Sequence, residues 1–332
     1  MVLEESAVIT EELITFLEGT ELGTNGAKYT HLDIRERILE TDHPTSFSLK
    51  RNHGIIANVT FCVRNFALYV RYFAFHSRFQ SGSKIERKRN THSEIEQQIE
   101  GVFKKLGDQK GLPFYAYIDA DNSRSQHMSK RFGFIPYTGI VSRTFSRLYP
   151  KKMDGVSFSS DWDAIAERVK KDYGDYDGYF DTHIQKSPFV VLKNGVGDVE
   201  AYAKFNLVQW RIHSLPGSFG SLLVKVLPYI PLLKRLIKPK AHYFLCPDII
   251  SHGTNTRKLQ QLFSAALALY KVNSIIWFVD PNDHVYQGVK DNLNWGILDR
   301  IIGTKNVSVV MRNAKSTYSS EKPFFVSSFD LI

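Results

Sequence analysis

The stretch YIDADNSRSQHMSKRFGFIPY, residues 117–137, decides how the first half of this sequence folds. It opens as the end of an apolar, aromatic strand and runs directly into Asp119, Asp121 and Asn122. Polar, helix-compatible residues follow, and they lead to Gly133 between two phenylalanines. The stretch therefore predicts a strand over 113–119 with a polar end, a helix over 122–132 and a sharp turn at Gly133.

The segments on either side of this stretch complete a recognisable order of secondary-structure elements. Three strands, 45–51, 54–64 and 67–75, are joined by short turns and form an antiparallel meander. A long basic loop over 76–92 comes next, and a last strand is predicted over 138–149. A helix follows the basic loop. Ser93 and Glu96 form a capping box at its start, and four apolar residues lie on one face: Ile95, Ile99, Phe103 and Leu106.

The second half repeats the order of three strands, helix, strand, helix and strand, and one more strand is predicted at its end. Its predicted strands are 189–195, 199–212, 241–250, 274–280, 307–313 and 324–331, and its predicted helices are 255–271 and 282–293. A linker rich in Lys, Ser and Gly lies near 149–161. We therefore expect two domains, residues 1–150 and residues 151–332.

Composition narrows the classes of function. The net charge of +9 favours an anionic partner, such as nucleic acid, a membrane surface or a phosphorylated cofactor. Cys62 and Cys246 lie in apolar strand-like runs, so we expect buried thiols. With no secretion signal and no clean membrane span in the sequence, this predicts a cytoplasmic protein. The histidines show no metal-ligand spacing, and no Walker loop or G-x-S-x-G is present.

The element order, together with the spacing from Asn122 to Gly133-Phe134, resembles the GNAT superfamily of acyl-CoA-dependent N-acyltransferases, and it does so in both halves. The resemblance implies an α/β fold of the α+β sandwich kind. Two tandem GNAT-like domains are expected, each with a mixed, mostly antiparallel sheet flanked by helices. It also implies acetyl-CoA, or another acyl-CoA, as cosubstrate and no metal.

In that fold, two parallel strands splay apart and the pantetheine of the cofactor fills the gap as a pseudo-strand. The resemblance places the gap at the ends of strands 68–75 and 114–119. The residues that it implies for cofactor binding there are Phe73, Ala74, Phe75, Asn122, Ser125 and Ser129. An alternative interpretation of Asn122 is that it only caps the helix that follows.

The phosphate loop departs from the family pattern. After the third strand the chain reads Arg78-Phe-Gln-Ser81-Gly82-Ser83, in which both glycines of the family's Q/R-x-x-G-x-G/A are serine. The basic loop 84–89 then follows, and its Lys84, Arg87, Lys88 and Arg89 are able to bind phosphate as point charges. A solvated insertion in a domain that no longer binds CoA is the other interpretation.

Catalysis by this family joins an amine to a thioester carbonyl and returns a proton to the thiolate. The usual tyrosine is replaced here by Ser129, whose hydroxyl is a poor acid. The candidates are Tyr137 in the first half, Tyr286 if the second half is active, and Asp119 as the base.

The predicted function is therefore acyl transfer to a small-molecule or peptide amine. Two alternatives stay open: a non-catalytic GNAT-like protein that binds a ligand or partner, and a Fem-type transferase that uses aminoacyl-tRNA. Segment 217–240 is apolar and basic but contains Pro228 and Pro231, which predicts a bent helical segment. It either packs on its own domain or the first, or it lines an acceptor pocket for an apolar or lipid-linked substrate at a membrane surface.

Overall fold

The computed structural model describes residues 1–23, 27–52, 54–76, 89–185, 188–215, 219–252, 255–314 and 322–332, without the side chains of 89–93. Elements of the first half are β1 (Val2–Ser6), α1 (Glu11–Glu18), β2 (Lys28–His31), α2 (Ile34–Leu39), β3 (Thr45–Arg51), β4 (Gly54–Val63), β5 (Leu68–Phe75), α3 (Arg89–Lys110), β6 (Phe114–Asp119), α4 (Ser123–Arg131) and β7 (Ile135–Ser146).

Elements of the second half are β8 (Val156–Ser159), α5 (Asp163–Tyr173), β9 (Phe189–Lys193), β10 (Val199–Ser214), α6 (Gly220–Val226), a 3-10 helix (Leu227–Tyr229), α7 (Leu233–Leu236), β11 (His242–Ser251), α8 (Thr256–Leu269), β12 (Ser274–Val279), α9 (His284–Val289), α10 (Ile297–Ile302), β13 (Lys305–Arg312) and α11 (Ser328–Leu331). None of these helices combines the length and the apolar character that a bilayer crossing requires.

The strands of both halves form one continuous sheet in the order β1-β3-β4-β5-β6-β13-β7-β12-β11-β10-β9-β8, with β2 paired to β10. The sheet is mostly antiparallel, and the parallel pairs are β5 with β6 and β11 with β12. The predicted antiparallel meander of β3, β4 and β5 is confirmed. The expected α/β fold, a mostly antiparallel sheet flanked by helices, is what the structure contains.

The two halves exchange their last strands. Strand β13 of the second half inserts between β6 and β7, while β7 of the first half pairs with β12. Each half therefore completes its sheet with a strand from the other. Nothing in the sequence predicted this exchange, and the division into residues 1–150 and 151–332 stays a prediction.

Each face of the sheet buries a different set of residues. Helix α3 packs through Ile95, Ile99, Phe103 and Leu106, as predicted, on one face, where Val310 of β13 joins the cluster. The neighbouring β13 residues Val307, Val309 and Met311 point to the opposite face and pack against Phe324 and Val326 of the C-terminal segment. This alternation follows from the period of two along a strand.

Three local predictions were wrong or misplaced. Residues 324–331 were predicted as a strand, but Ser328–Leu331 is a helix and the segment lies across the sheet instead of joining it. Helix α3 begins at Arg89, so Ser93 lies inside it and is not its N-cap. The helix predicted over 282–293 is confined to His284–Val289, with Asp283 as its cap.

Candidate functional site

The sheet opens between β5 and β6. These parallel strands are in register only at Leu68 with Phe114 and at Tyr69 with Tyr115, although β5 continues to Phe75 and β6 to Asp119. From Val70 to Ala74 on β5 and from Ala116 to Asp119 on β6, the facing edges pair with no strand among the described residues, so their backbone N–H and C=O groups need another partner. Among the described residues, the only side chain that hydrogen-bonds the backbone of this part of β5 is Asn58, on the neighbouring strand β4. We call this gap the first opening.

Polar groups line the carboxyl end of the first opening, where β6 stops. Asp119 is exposed, and its Oδ1 accepts a hydrogen bond from the Asp121 N–H at 2.8 Å. Asn122 caps α4, because its Oδ1 accepts from the Ser125 N–H at 3.0 Å. The capping role of Asn122 is thus present in the structure, and it involves the oxygen of the amide, not its nitrogen.

The turn after α4 has the conformation that the sequence predicted. Gly133 has a φ of +72°, a left-handed value that favours glycine, and a Cβ there would meet nothing within 4 Å. The Phe134 N–H donates to the Ser129 carbonyl at 3.0 Å and closes the helix end. Phe132 and Phe134 on either side are buried in the core beneath α3.

The other predicted residues lie at different depths around the first opening. Phe73 and Phe75 are half-buried, and the Phe73 ring also lies 5.8 Å from that of Phe132, so they form an apolar wall beside the gap. Ala74 is buried on the opposite side of β5, against α1 and α2. Ser129 is buried and donates its hydroxyl to the Gln126 carbonyl.

The three predicted catalytic side chains do not come together. Asp119 is exposed at the end of β6. Tyr137, on β7, packs edge-on against Phe324 at 6.1 Å, on the face that the C-terminal segment covers. Tyr286, on α9, is buried in the α8 core against Trp277. Arg78, Ser81, Gly82, Ser83 and the side chains of the basic loop 84–89 lie outside the described residues.

A second opening exists between β11 and β12, which are in register only at Leu245 and Ile275. Here the chain fills the gap itself. The Tyr173 hydroxyl of α5 donates to the Ile250 carbonyl and accepts from the Ile250 N–H, both at 2.8 Å. Burial raises the pKa of Tyr173 well above its usual value, so the hydroxyl keeps the proton that it donates.

The acidic side chains that follow β12 also have hydrogen-bond partners within the protein. Asp280 is buried, and its Oδ2 accepts from the Phe324 N–H of the C-terminal segment at 3.0 Å. Asp283 caps α9 through the Tyr286 N–H at 2.7 Å and accepts from the Tyr176 hydroxyl at 3.1 Å. The second opening is therefore lined by side chains of the protein that already have partners.

Sequence reasoning missed the residue that holds the C-terminal segment in place. Asp330 is buried and forms an ion pair with Arg64, and it also accepts from the Tyr115 hydroxyl at 2.7 Å. Arg71 lies 3.5 Å from the same carboxylate and donates to the Phe329 carbonyl. Burial alone raises the pKa of Asp330, but the two guanidiniums hold it below its usual value. One carboxylate among many in the sequence offers no signal for this role.

Metal and thiol chemistry receive no support from the described residues. No group of three or more His, Cys, Asp or Glu side chains among them is arranged to hold a metal ion. The two cysteines are buried, as predicted. Burial raises the pKa of the Cys62 thiol to about 12, which keeps it protonated and a poor nucleophile.

Solved structures share this architecture. Saccharomyces cerevisiae N-myristoyltransferase with bound myristoyl-CoA superposes with a TM-score of 0.58 at 10% identity, over 99% of this chain and 87% of that one. The chain has the GNAT fold, in a two-domain arrangement. A putative acetyltransferase from Pyrococcus horikoshii matches with a TM-score of 0.51 at 11% identity, over 99% of this chain and 95% of that one. No protein-family model and no curated protein sequence matches the chain.

At these identities the likeness concerns the GNAT fold, and function must be argued from the site. The first and second openings are the two places where such an argument can start, because parallel strands part at both.

Proposed function

We propose that the protein is an acyl-CoA-dependent N-acyltransferase that binds its cosubstrate in the first opening. One observation carries the proposal: β5 and β6 part after two paired residues, and among the described residues no side chain from elsewhere in the fold takes the place that Tyr173 takes in the second opening. Unpaired backbone groups inside a protein need a partner. The amides of pantetheine supply one in the form of a pseudo-strand.

The residues around the first opening suit this ligand. Phe73 and Phe75 offer an apolar wall, and the Asn122 side-chain nitrogen is a donor at the mouth of the gap. The phosphates of CoA would be held by the basic loop 84–89, whose sequence carries the charge. The likeness to a protein that has bound myristoyl-CoA supports an acyl-CoA, with acetyl as the short-chain case.

For the transfer step we assign Asp119 as the group that accepts the proton of the attacking amine, because its carboxylate is exposed at the strand end. Tyr137 remains the candidate from the sequence for returning a proton to the departing thiolate, although β13 lies between its strand and the first opening and Phe324 packs against its ring. Tyr286 is the weaker candidate, since it belongs to the half whose opening is filled. The acceptor is a peptide or small-molecule amine.

The test has two stages. In the first, unfolding temperature is measured with CoA, acetyl-CoA and myristoyl-CoA, because a ligand of the folded state raises it by mass action. A photoreactive acyl-CoA then locates the site, and cross-links found only within 241–302 would contradict the assignment. In the second, release of the CoA thiol is followed with a panel of amines and peptides.

The alternatives give other results. Acyl-CoA binding without thiol release for any acceptor would favour a non-catalytic binding protein. No response to any CoA, combined with tRNA binding that falls steeply with salt, would favour a Fem-type transferase.

A further inference from the structure

An insertion between β10 and β11, residues 219–240, forms a bent helical segment on the surface. It consists of α6, the 3-10 helix and α7, and the bend occurs around Pro228 and Pro231 as predicted. The insertion is anchored by Leu227, Leu236 and Ile237, which are buried with Ile212 and Leu298. One apolar face therefore packs on the second half.

The outward face of the insertion is apolar as well. Tyr229 is 83% exposed and Phe219 is 72% exposed. Five aliphatic residues on the same segment are also exposed: Leu222, Leu223, Val226, Ile230 and Leu232. Single exposed apolar residues are ordinary, but seven within fourteen positions concentrate exposed apolar surface on one segment, which is unfavourable in water.

The charge of the same region has one sign. Residues 201–247 contain seven Lys and Arg residues and no Asp or Glu. Beside the insertion runs an open groove of about 1510 Å³ with an apolar floor that includes Ile212, Ile237 and Leu267. Eight Lys and Arg side chains line it, and no carboxylate is among its described residues: Lys152, Arg211, Lys225, Lys234, Arg235, Lys238, Lys240 and Lys271.

We propose that the insertion and its groove dock the protein onto the surface of an anionic phospholipid bilayer. The exposed leucines, Phe219 and Tyr229 enter the boundary between headgroups and acyl chains, and the Lys and Arg side chains contact lipid phosphates. Short amphipathic helices bind membranes in this way, lying in the interface without crossing. The docking surface is separate from the first opening and does not depend on the proposed transferase activity.

Two other occupants fit the same surface less well. A second copy of the chain would bring two strongly basic patches together, and like charges oppose such an interface. Single-stranded nucleic acid binds through aromatic stacking platforms, whereas the patch is mainly aliphatic. An anionic bilayer satisfies both the charge and the aliphatic character.

The test is co-sedimentation of the full chain with vesicles of phosphatidylcholine alone or mixed with phosphatidylglycerol. We expect binding to the mixed vesicles only. The variant Lys234→Glu/Arg235→Glu removes the charge attraction, and Leu222→Ser/Leu223→Ser/Tyr229→Ser removes the apolar contact. Each variant should weaken vesicle binding by roughly tenfold or more. The first loses the attraction between basic side chains and lipid phosphates, and the second loses apolar area buried in the bilayer interface.

Matched controls separate the docking surface from general effects. Lys170→Glu/Lys171→Glu makes the same change of charge on α5, and Val8→Ser/Leu39→Ser/Val196→Ser removes three exposed apolar side chains elsewhere. Both controls should bind like the original chain. All the substituted residues are exposed, so unfolding temperatures should stay equal.

Three results would overturn the proposal. The first is no binding to anionic vesicles, or equal binding to neutral ones. The second is a dimer in analytical ultracentrifugation that the leucine variant dissociates. The third is RNA binding that the Lys234/Arg235 variant abolishes while vesicle binding is absent.

Discussion

The first and second openings have the same strand topology and opposite contents. In both, two parallel strands are joined at their beginnings and part toward their carboxyl ends. In the second, Tyr173 satisfies the backbone of Ile250, and Asp280 is buried under the C-terminal segment. In the first, β6 ends on an exposed acid and a helix cap. A gap in a sheet is stable when something fills it, and within the part of the chain that the structure describes a side chain fills the second opening but not the first.

The largest effect is expected at the C-terminal segment, which touches Asp280 beside the second opening and β5 and β6 beside the first. Asp330→Asn leaves Arg64 and Arg71 buried without a counter-charge, which should cost about 3–5 kcal/mol of unfolding free energy. Urea unfolding at pH 7 measures it. The control is Glu11→Gln, which breaks an exposed bidentate pair with Arg35 and should change little.

The ion pairs of Asp330 with Arg64 and Arg71 also predict that the free energy of unfolding depends on pH. Because Arg64 and Arg71 hold the pKa of Asp330 below its unfolded value, its contribution is complete above about pH 4. It is lost as the pH falls through the lowered pKa of the folded carboxyl. The original chain should therefore lose stability in acid faster than Asp330→Asn does, and parallel pH curves would contradict the assignment.

Removing the filling of the second opening is the next test. Tyr173→Phe deletes one hydroxyl but leaves both the N–H and the C=O of Ile250 without a partner, so we expect a loss of about 1–3 kcal/mol. Tyr243→Phe, at a tyrosine on β11 that is 42% exposed, should be near neutral. Acyl-CoA affinity should be unchanged in both variants. Weaker acyl-CoA binding by Tyr173→Phe would indicate that the ligand binds at the second opening, which would contradict the proposal.

The helices that follow the two openings offer a pair with opposite signs. Gly133→Ala forces a left-handed φ on alanine and should destabilise by about 1–2 kcal/mol. Gly288→Ala lies inside α9 with open space at its Cβ, and it should stabilise by up to about 1 kcal/mol. Thermal unfolding of both variants checks the signs, and equal signs would contradict the role given to Gly133.

The smallest effect separates a helix cap from a ligand contact. Asn122→Ala and Asn255→Ala each remove a cap, from α4 and from α8, and should cost similar stability, about 1 kcal/mol. Only Asn122→Ala should weaken acyl-CoA binding, by about fivefold, which corresponds to one hydrogen bond. Equal affinities in the two variants would leave Asn122 with the capping role alone.

Sequence patterns predicted what is local in this molecule. Alternating strands, the apolar face of α3, the Asn122 cap and the turn at Gly133 all depend on neighbours a few residues away. The exchange of β7 and β13 was not predictable, because alternation tells which face Val307 and Val309 occupy but not which strand lies beside them.

The remaining errors have the same origin. Residues 324–331 have the aromatic composition of a strand, yet side chains of other elements bind their backbone, as when Asp248 accepts from the Ser328 N–H at 2.7 Å. Tyr173 occupies an ordinary buried position of a helix, and only the three-dimensional structure shows what its hydroxyl meets. In the candidate site the strand ends and the cap were predictable, whereas the difference between the two openings was not.

The exchange of strands also constrains how the chain is made. During synthesis β6 and β7 emerge long before β13, which comes about 160 residues after β7 and belongs between them. Strand β7 has two unpaired edges until β12 emerges, and β6 and β7 each keep one until β13 emerges; such edges pair readily with other chains. Contacts this distant in sequence make folding slow. We therefore expect the first half to complete its sheet only after β13 has left the ribosome, with its strand edges open to other chains until then.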